Sequence, residues 1–317
     1  MKTLVGFRKD QNANCLENIF LALIYRITPN CLPHIYSYCW DFGYLEKDKS
    51  SLGLSQRLSN TKDQMMQQKL LKRYHGIAIQ WSEDYNLLEW MSGEFPYIIC
   101  GDAFWFSWNL AYQSAHIPHY FFLTKKEDDY FIIDDPYFNL YNQILPTNVL
   151  KQSLIKVGKV SVEPSSEFII LEEFVNSLKY VIEGYDGKGD HYQIRLLAEE
   201  IYNDINLQQY LIQETEDPAN SKVLITLKHI ARGRIKYSKY WKNYAHIDVI
   251  HSLIGKMNEI YETWDIVVKL FIRLFFDKNE KCIRERIYEQ LIKIANAEKK
   301  ASQDALRECS AWIGDEV

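Results

Sequence analysis

The sequence predicts an α+β protein with a mixed N-terminal domain over residues 1–160 and a mostly helical domain over 161–317. Three observations carry this reading. Trp and Tyr crowd residues 81–141, where Gly, Pro and β-favouring residues also concentrate. From about Glu167 the apolar residues recur at helical spacing, as in Leu171, Phe174, Val175, Leu178, Val181 and Ile182. Between these regions, residues 151–166 contain Gly158 and the Pro164-Ser165-Ser166 triplet, with Ser165 or Ser166 placed to cap the helix that follows. A length of 317 residues accommodates two domains of ordinary size.

The first element is a helix beginning near Cys15. Leu16, Ile19, Phe20, Leu23 and Ile24 form one stripe, and Asn12 or Asn14 stands ready as its N-cap. A buried strand is predicted from Tyr97, ending in Asp102. Next comes a hairpin, in which the apolar runs 118–124 and 130–136 flank the charged turn Lys125–Asp129. In the second half, helices are predicted near 167–182, 190–213, 219–233, 243–274 and 278–308. Turn chemistry separates them at Gly184–Gly189, Asp217-Pro218 and Asp277–Asn279.

Composition excludes several classes. Hydrophobic residues at 47% and charged residues at 25% are those of a globular protein, not a disordered or fibrous one. A net charge of -5 offers no general attraction for nucleic acid. The most apolar stretch, Trp264–Phe276, is broken by Asp265, Lys269 and Arg273 and falls short of the roughly 18 residues a membrane span requires. Arg8, Lys9 and Asp10 interrupt the N-terminus before a secretory segment could form, so a cytoplasmic location is expected. Six cysteines occur without a Cys-x-x-Cys pair, and the histidines lack metal-binding spacing, so no metal is expected. No Gly-rich phosphate loop is present.

The residues suited to chemistry are Cys15, His119 and an acid of the pair Asp134-Asp135. A helix N-terminus favours thiolate over thiol and supplies N–H donors for an oxyanion, although a cysteine there is also an ordinary small buried residue. If Thr124 faces Tyr130 across the hairpin, His119 lies opposite Asp135; a one-residue change of loop length moves the partner to Asp134. A carboxylate on one ring nitrogen fixes the imidazole tautomer and leaves the other nitrogen to exchange a proton with a thiol.

Cysteine at a helix start, histidine at a strand start and aspartate at the end of the following strand is the order of papain-like cysteine enzymes. Cys15, His119 and the Asp135-Pro136 pair resemble bacteriocin-processing, C39-type peptidases. Two blocks resemble more closely the N-terminal domain of butirosin biosynthesis protein H-like proteins. One is Asn14-Cys15-Leu16-Glu17-Asn18, and the other runs from Tyr97 through Trp105 and His116-Ile117-Pro118-His119-Tyr120 to Asp134-Asp135-Pro136. The resemblance covers about residues 10–145 and departs from the family in its Lys125–Asp129 turn and doubled acid.

It implies a papain-like (C39-like) domain and an acyltransferase of natural-product biosynthesis. Such an enzyme takes an acyl group from the phosphopantetheine thioester of an acyl or peptidyl carrier protein and gives it to a small-molecule amine, with no cofactor of its own. Cys15 would be the nucleophile, His119 the base and Asp135 the orienting acid. A thioesterase, cyclase or cysteine peptidase of the same fold, or a scaffold that only binds a carrier, are the alternatives.

Three further residues are candidate substrate contacts. Gln11 precedes Cys15 by four positions, where papain-type peptidases place their oxyanion glutamine six before. Asp102 reads either as a turn-capping carboxylate or as an amine-binding group, and His116 points away from His119 in an extended segment. The Trp81, Trp90, Trp105 and Trp108 group reads as core or pocket lining. Between Asn220 and Asp248 the bases Lys222, Lys228, Arg232, Arg234, Lys236, Lys239, Lys242 and His246 occur without an acid; they read as a solvated helix face or as a docking patch for an acidic carrier.

Overall fold

A computed structural model describes residues 7–46, 53–59, 61–83, 96–184, 187–203, 207–215, 217–218, 221–277 and 279–314. The protein is mixed α and β, and it divides into two compact units, Met1–Pro33 with Gln68–Glu167 and His34–Gln67 with Phe168–Val317. The division therefore differs from a single break near residue 160. The polar contacts of residues 38–57 explain the exchange. The Phe42 and Tyr44 amides donate to the Asp190 and Gln193 side chains at 3.0 and 2.9 Å, the Tyr38 hydroxyl donates to Glu173 at 2.9 Å, and Arg57 pairs with Glu200.

In the first unit, α1 (Cys15–Ile27) is followed by the end of α2 (Thr61–His75) and by β1 (Ile77–Ser82), β2 (Tyr97–Asp102), β3 (Pro118–Lys126), β4 (Tyr130–Asp135), β5 (Leu140–Pro146), α3 (Thr147–Ser153) and β6 (Leu154–Val162). The six strands form one antiparallel sheet in the order β1-β6-β2-β3-β4-β5. Alternation sends Tyr97, Ile99, Phe121, Leu123, Phe131, Ile133 and Val157 to one face, where they build a core with Phe106, Leu145 and Leu150. The opposite face receives α1, whose Arg26 guanidinium lies 5.2 Å from the centre of the Phe122 ring. The apolar stripe read from the sequence is the buried one, since Leu16, Ile19, Phe20, Leu23 and Ile24 are all buried.

The second unit holds α4 (Ile170–Glu183), α5 (Asp190–Asn203), α6 (Leu207–Glu214), α7 (Lys222–Trp241), α8 (Asp248–Leu274) and α9 (Glu280–Gly314), with a short ribbon pairing Gly43–Tyr44 and Leu58–Ser59. Several boundaries differ from the sequence expectation. Neither Ser165 nor Ser166 caps α4; the Ser166 amide instead bonds the Arg73 carbonyl at 2.6 Å, holding that segment extended, and α4 starts after Ile169. α7 continues eight residues past Gly233 because Tyr237, Tyr240 and Trp241 keep the buried stripe going. The expected helix 190–213 is described as α5 and α6; residues 204–206 between them, and 219–220 ahead of α7, lie outside the described residues. No helix among the described residues is long and apolar enough to cross a membrane.

The expected basic face on α7 is corrected at its centre. Arg234 is fully buried, and its Nε and Nη2 donate to the two oxygens of Glu298 at 2.9 and 3.1 Å, while Nη1 donates to the Asp41 carbonyl at 2.7 Å. The same Glu298 carboxylate accepts from Trp40 and Trp264, each at 3.0 Å. Lys236 is also buried, with its ammonium 5.6 Å from the Tyr36 ring centre. These bases belong to the interior, because a buried carboxylate requires a cation and donors around it. Lys222, Lys239, Lys242 and His246 remain exposed.

Reversing Arg234 to Glu should therefore remove about 3–5 kcal/mol from urea-unfolding stability by leaving Glu298 unpaired. Lys239→Glu should stay within about 0.5 kcal/mol of the parent. Equal effects of the two changes would contradict the buried assignment.

Candidate active site

Cys15 is the first residue of α1, and the loop before it is fixed from two directions. Asn14 caps the helix: its side chain accepts from the Glu17 amide at 2.9 Å, and the Glu17 carboxylate accepts from the Asn14 amide at 2.7 Å, closing a capping box. Asn18, fully buried one turn along, donates to the carbonyls of Ala13 and Asn14 at 3.3 and 3.0 Å and accepts from the Asp10 amide at 3.1 Å. The cap and the Asn18 bonds together hold the half-buried Cys15 at the amide end of the helix, where a developing oxyanion is favoured.

The hairpin brings His119 to Asp135, but not in the register expected from Thr124 facing Tyr130. A tight turn closes with the Glu127 amide on the Tyr130 carbonyl at 2.9 Å, so Lys126 pairs with Phe131. A bulge follows at Thr124, whose hydroxyl donates to the Ile132 carbonyl at 3.0 Å, and beyond it Phe122 pairs with Asp134. His119 thus sits opposite neither acid; its direct partner is Gly101 on β2. Asp135 is reached diagonally, within range of a long side chain, and the His119 Nε2 lies 2.7 Å from its Oδ2.

Asp135 is wholly buried and fully engaged. Its Oδ2 meets His119 and the Trp108 indole N–H, the latter at 2.9 Å, while Oδ1 accepts from the amides of Tyr137 and Phe138 at 3.0 and 3.3 Å. Asp134, its neighbour, turns the other way. One oxygen accepts from Arg26 of α1 at 3.0 Å and the other from the Asn142 amide at 2.9 Å. With Nε2 committed to Asp135, Nδ1 is the ring nitrogen left for the neighbouring Cys15, which acts with Asp135 to raise the pKa of His119.

Around this pair stands an aromatic enclosure. The His119 ring centre lies 5.4 Å from that of Phe138, 6.0 Å from Tyr137, 6.4 Å from Phe121 and 6.5 Å from Phe106. Phe106 stacks on Trp108 at 5.0 Å, and it passes so close over Gly101 that a Cβ there would stand 2.6 Å from its ring. A residue larger than glycine at 101 would therefore displace the aromatic pair that aims the indole at Asp135. Burial acts to lower the pKa of His119, but hydrogen bonds and charge from Asp135 and Cys15 outweigh it and push it up to about 10. The surroundings therefore favour the imidazolium over the neutral ring.

The remaining candidates lie outside this cluster. Gln11 is exposed in the turn ahead of α1 and has no hydrogen bond to another described residue. Asp102 caps the 3-10 turn Ala103–Trp105 by accepting from the Phe104 amide at 3.1 Å, and its other oxygen meets His116 Nδ1 at 2.6 Å. His116 stacks on Phe104 at 4.5 Å and is exposed, so these two form a pair of their own beside the strand that bears His119. Among the described residues no cluster of three or more His, Cys, Asp or Glu could hold a metal. Trp90 lies outside the described residues. Trp108 is the site residue that sequence reasoning placed only as core or lining; the Pro-free aromatic loop 104–112 was its signal, yet nothing in that loop indicates a carboxylate partner. No family model matches the chain, and no curated protein matches it.

Three measurements follow from this geometry. Iodoacetamide at pH 7 should modify Cys15 at least about tenfold faster than the exposed Cys31 and Cys282. Cys100, whose thiol burial pushes up to about 11, should be inert in folded protein. Asp135→Asn should slow Cys15 alkylation at least about tenfold. Asp134→Asn should instead cost about 1.5–3 kcal/mol of stability through Arg26 while sparing the rate. The reverse order of effects would exchange the roles of the two acids.

Proposed function

We propose that the protein is a cysteine-dependent acyltransferase of the papain-like, C39-like class. On this reading an acyl group passes from the phosphopantetheine thioester of a carrier protein to Cys15 and then to a small-molecule amine. The observation that carries the reading is the buried His119–Asp135 pair with Cys15 beside it, the thiol at a capped helix N-terminus and the carboxylate without exposure. The carrier and the amine come from the family resemblance, and the two blocks that carry it contain the cap, Asn18 and the His–Asp pair described above.

The chemistry balances through one proton. The Cys15 thiolate adds to the thioester carbonyl, and the Cys15 and Leu16 amides, which α1 leaves without intrahelical partners, face the oxyanion. Collapse breaks the bond to the carrier sulfur. The His119 imidazolium gives its proton to that leaving thiolate, producing free carrier thiol, acyl-Cys15 and neutral His119. The amine then attacks acyl-Cys15, neutral His119 takes one amine proton, and amide release regenerates thiolate and imidazolium. Asp135 fixes Nε2 throughout, so that Nδ1 alone serves both transfers. Arg234 and Lys236 are interior residues and have no part in carrier docking on this reading.

Intact-mass measurement after mixing with an acyl-carrier thioester should show one acyl adduct, absent in Cys15→Ala. Addition of amine should discharge it as amide, whereas discharge by water alone would make the protein a hydrolase. No adduct at all would leave a scaffold and overturn the proposal.

The pH dependence has a definite sign. Because His119 is held protonated to about 10, acylation should persist through neutral pH and decline only as pH rises toward that value. In Asp135→Asn the alkaline limb should move down toward the ordinary imidazole range, because a hydrogen bond and charge that hold the proton are lost. An unchanged limb would show that Asp135 does not govern the protonation of His119.

A further inference from the structure

On the face of the sheet that α1 covers, Lys156 of β6 pairs with Cys100 of β2, and Cys100 pairs in turn with Tyr120 of β3, the residue after His119. The Lys156 ammonium lies 4.9 Å from the Trp81 ring centre and 5.9 Å from that of Tyr120. Trp81 is held in place by its indole N–H, which donates to Gln68 at 3.1 Å, and its ring meets that of Tyr120 edge-on at 5.9 Å. Two aromatic walls therefore fix a half-buried cation.

Lys156 has no ion-pair partner among the described residues. Glu83, exposed at the end of β1, is an acid whose charge reaches Cys100 and Tyr120, yet it forms no salt bridge with Lys156. Cys100, which Lys156 faces across the sheet, and Tyr120, which follows His119, are both within electrostatic reach of Cys15.

A cation partly desolvated between aromatic rings attracts an anion more strongly than a lysine in open water does, because the local dielectric is lower. Resting on the acyl-transfer reading above, we infer that Lys156, framed by Trp81 and Tyr120, binds an anionic substituent, a carboxylate or phosphoryl group, on the acyl chain delivered to Cys15. The substrate class is then acidic acyl thioesters rather than plain fatty ones. On this inference a short chain separates the thioester from the anion, and the ammonium sets its register.

The test separates this inference from the reading on which it rests. Iodoacetate and iodoacetamide differ chiefly in charge, and both alkylate cysteine thiols. Lys156→Met should lower the iodoacetate rate at Cys15 by about fivefold while leaving the iodoacetamide rate nearly unchanged, and Lys156→Arg should keep the preference for the anion. An unchanged rate ratio in Lys156→Met overturns the inference and leaves the nucleophile assignment standing. Equal slowing with both reagents also overturns it, since Lys156 would then act only on the shape of the site.

Parent Cys15 reacting no faster than Cys31 would remove the acyl-transfer reading and this inference together. With substrates, Lys156→Met should raise KM for S-succinyl-pantetheine and not for S-butyryl-pantetheine. A rise confined to S-butyryl-phosphopantetheine would place the anion on the carrier arm and overturn the acyl-chain assignment.

Discussion

A carboxylate with no exposure to solvent has to be met by donors from every side, and Asp135 imposes that demand on its surroundings. Four N–H groups answer it, from Trp108, His119, Tyr137 and Phe138. They come from three local devices. β4 ends at Asp135 so that the next two amides can fold back on it, and Lys9 holds the Tyr137 carbonyl at 2.8 Å. The indole arrives from the loop after β2, steered by Phe106 across the bare backbone of Gly101. Leaving any one donor out would strand charge in a dry site, at a cost of about 1–3 kcal/mol or more. Satisfaction of that carboxylate is what aligns the end of the hairpin, the aromatic loop and the imidazole.

The doubled acid shows how alternation divides labour along a strand. Asp134 and Asp135 are chemically alike and adjacent, yet one ties the last turn of α1 to the sheet through Arg26 and the other orients an imidazole. The first task keeps the helix seated on its face; the second keeps the ring aimed at the start of that helix. The two ends of α1 are thereby referred to neighbouring residues of one strand, so a slip of β4 by a single residue would exchange the two faces and disrupt both contacts.

Local features of the sequence were legible where a short-range rule decides them. The cap, the apolar stripe and the position of Cys15 at the start of α1 follow from spacing within a dozen residues, and the hairpin follows from two apolar runs about a charged turn. Its register was not legible. Register depends on how far the strands run into the turn and on a bulge at Thr124 that a hydroxyl stabilises, and neither changes the apolar pattern. Arg234 was misread for a related reason: charge along a helix records what a face carries, while its burial depends on Glu298, sixty-four residues away, and on two indoles that point at the same carboxylate. Residues 34–67 joined the second unit through similar long-range polar contacts, which no composition shift announces.

The protonation of His119 joins these strands of argument. An ordinary imidazole near neutrality would be half charged, a poor acid for a departing thiolate and only an intermittent partner for a cysteine. Burial alone would make it worse by favouring the neutral ring. The surroundings reverse that tendency: a buried carboxylate on Nε2, with Cys15 nearby, favours the positive form. What the fold contributes here is a ring whose cationic form is favoured by its two neighbours, Asp135 through a hydrogen bond and Cys15 through proximity.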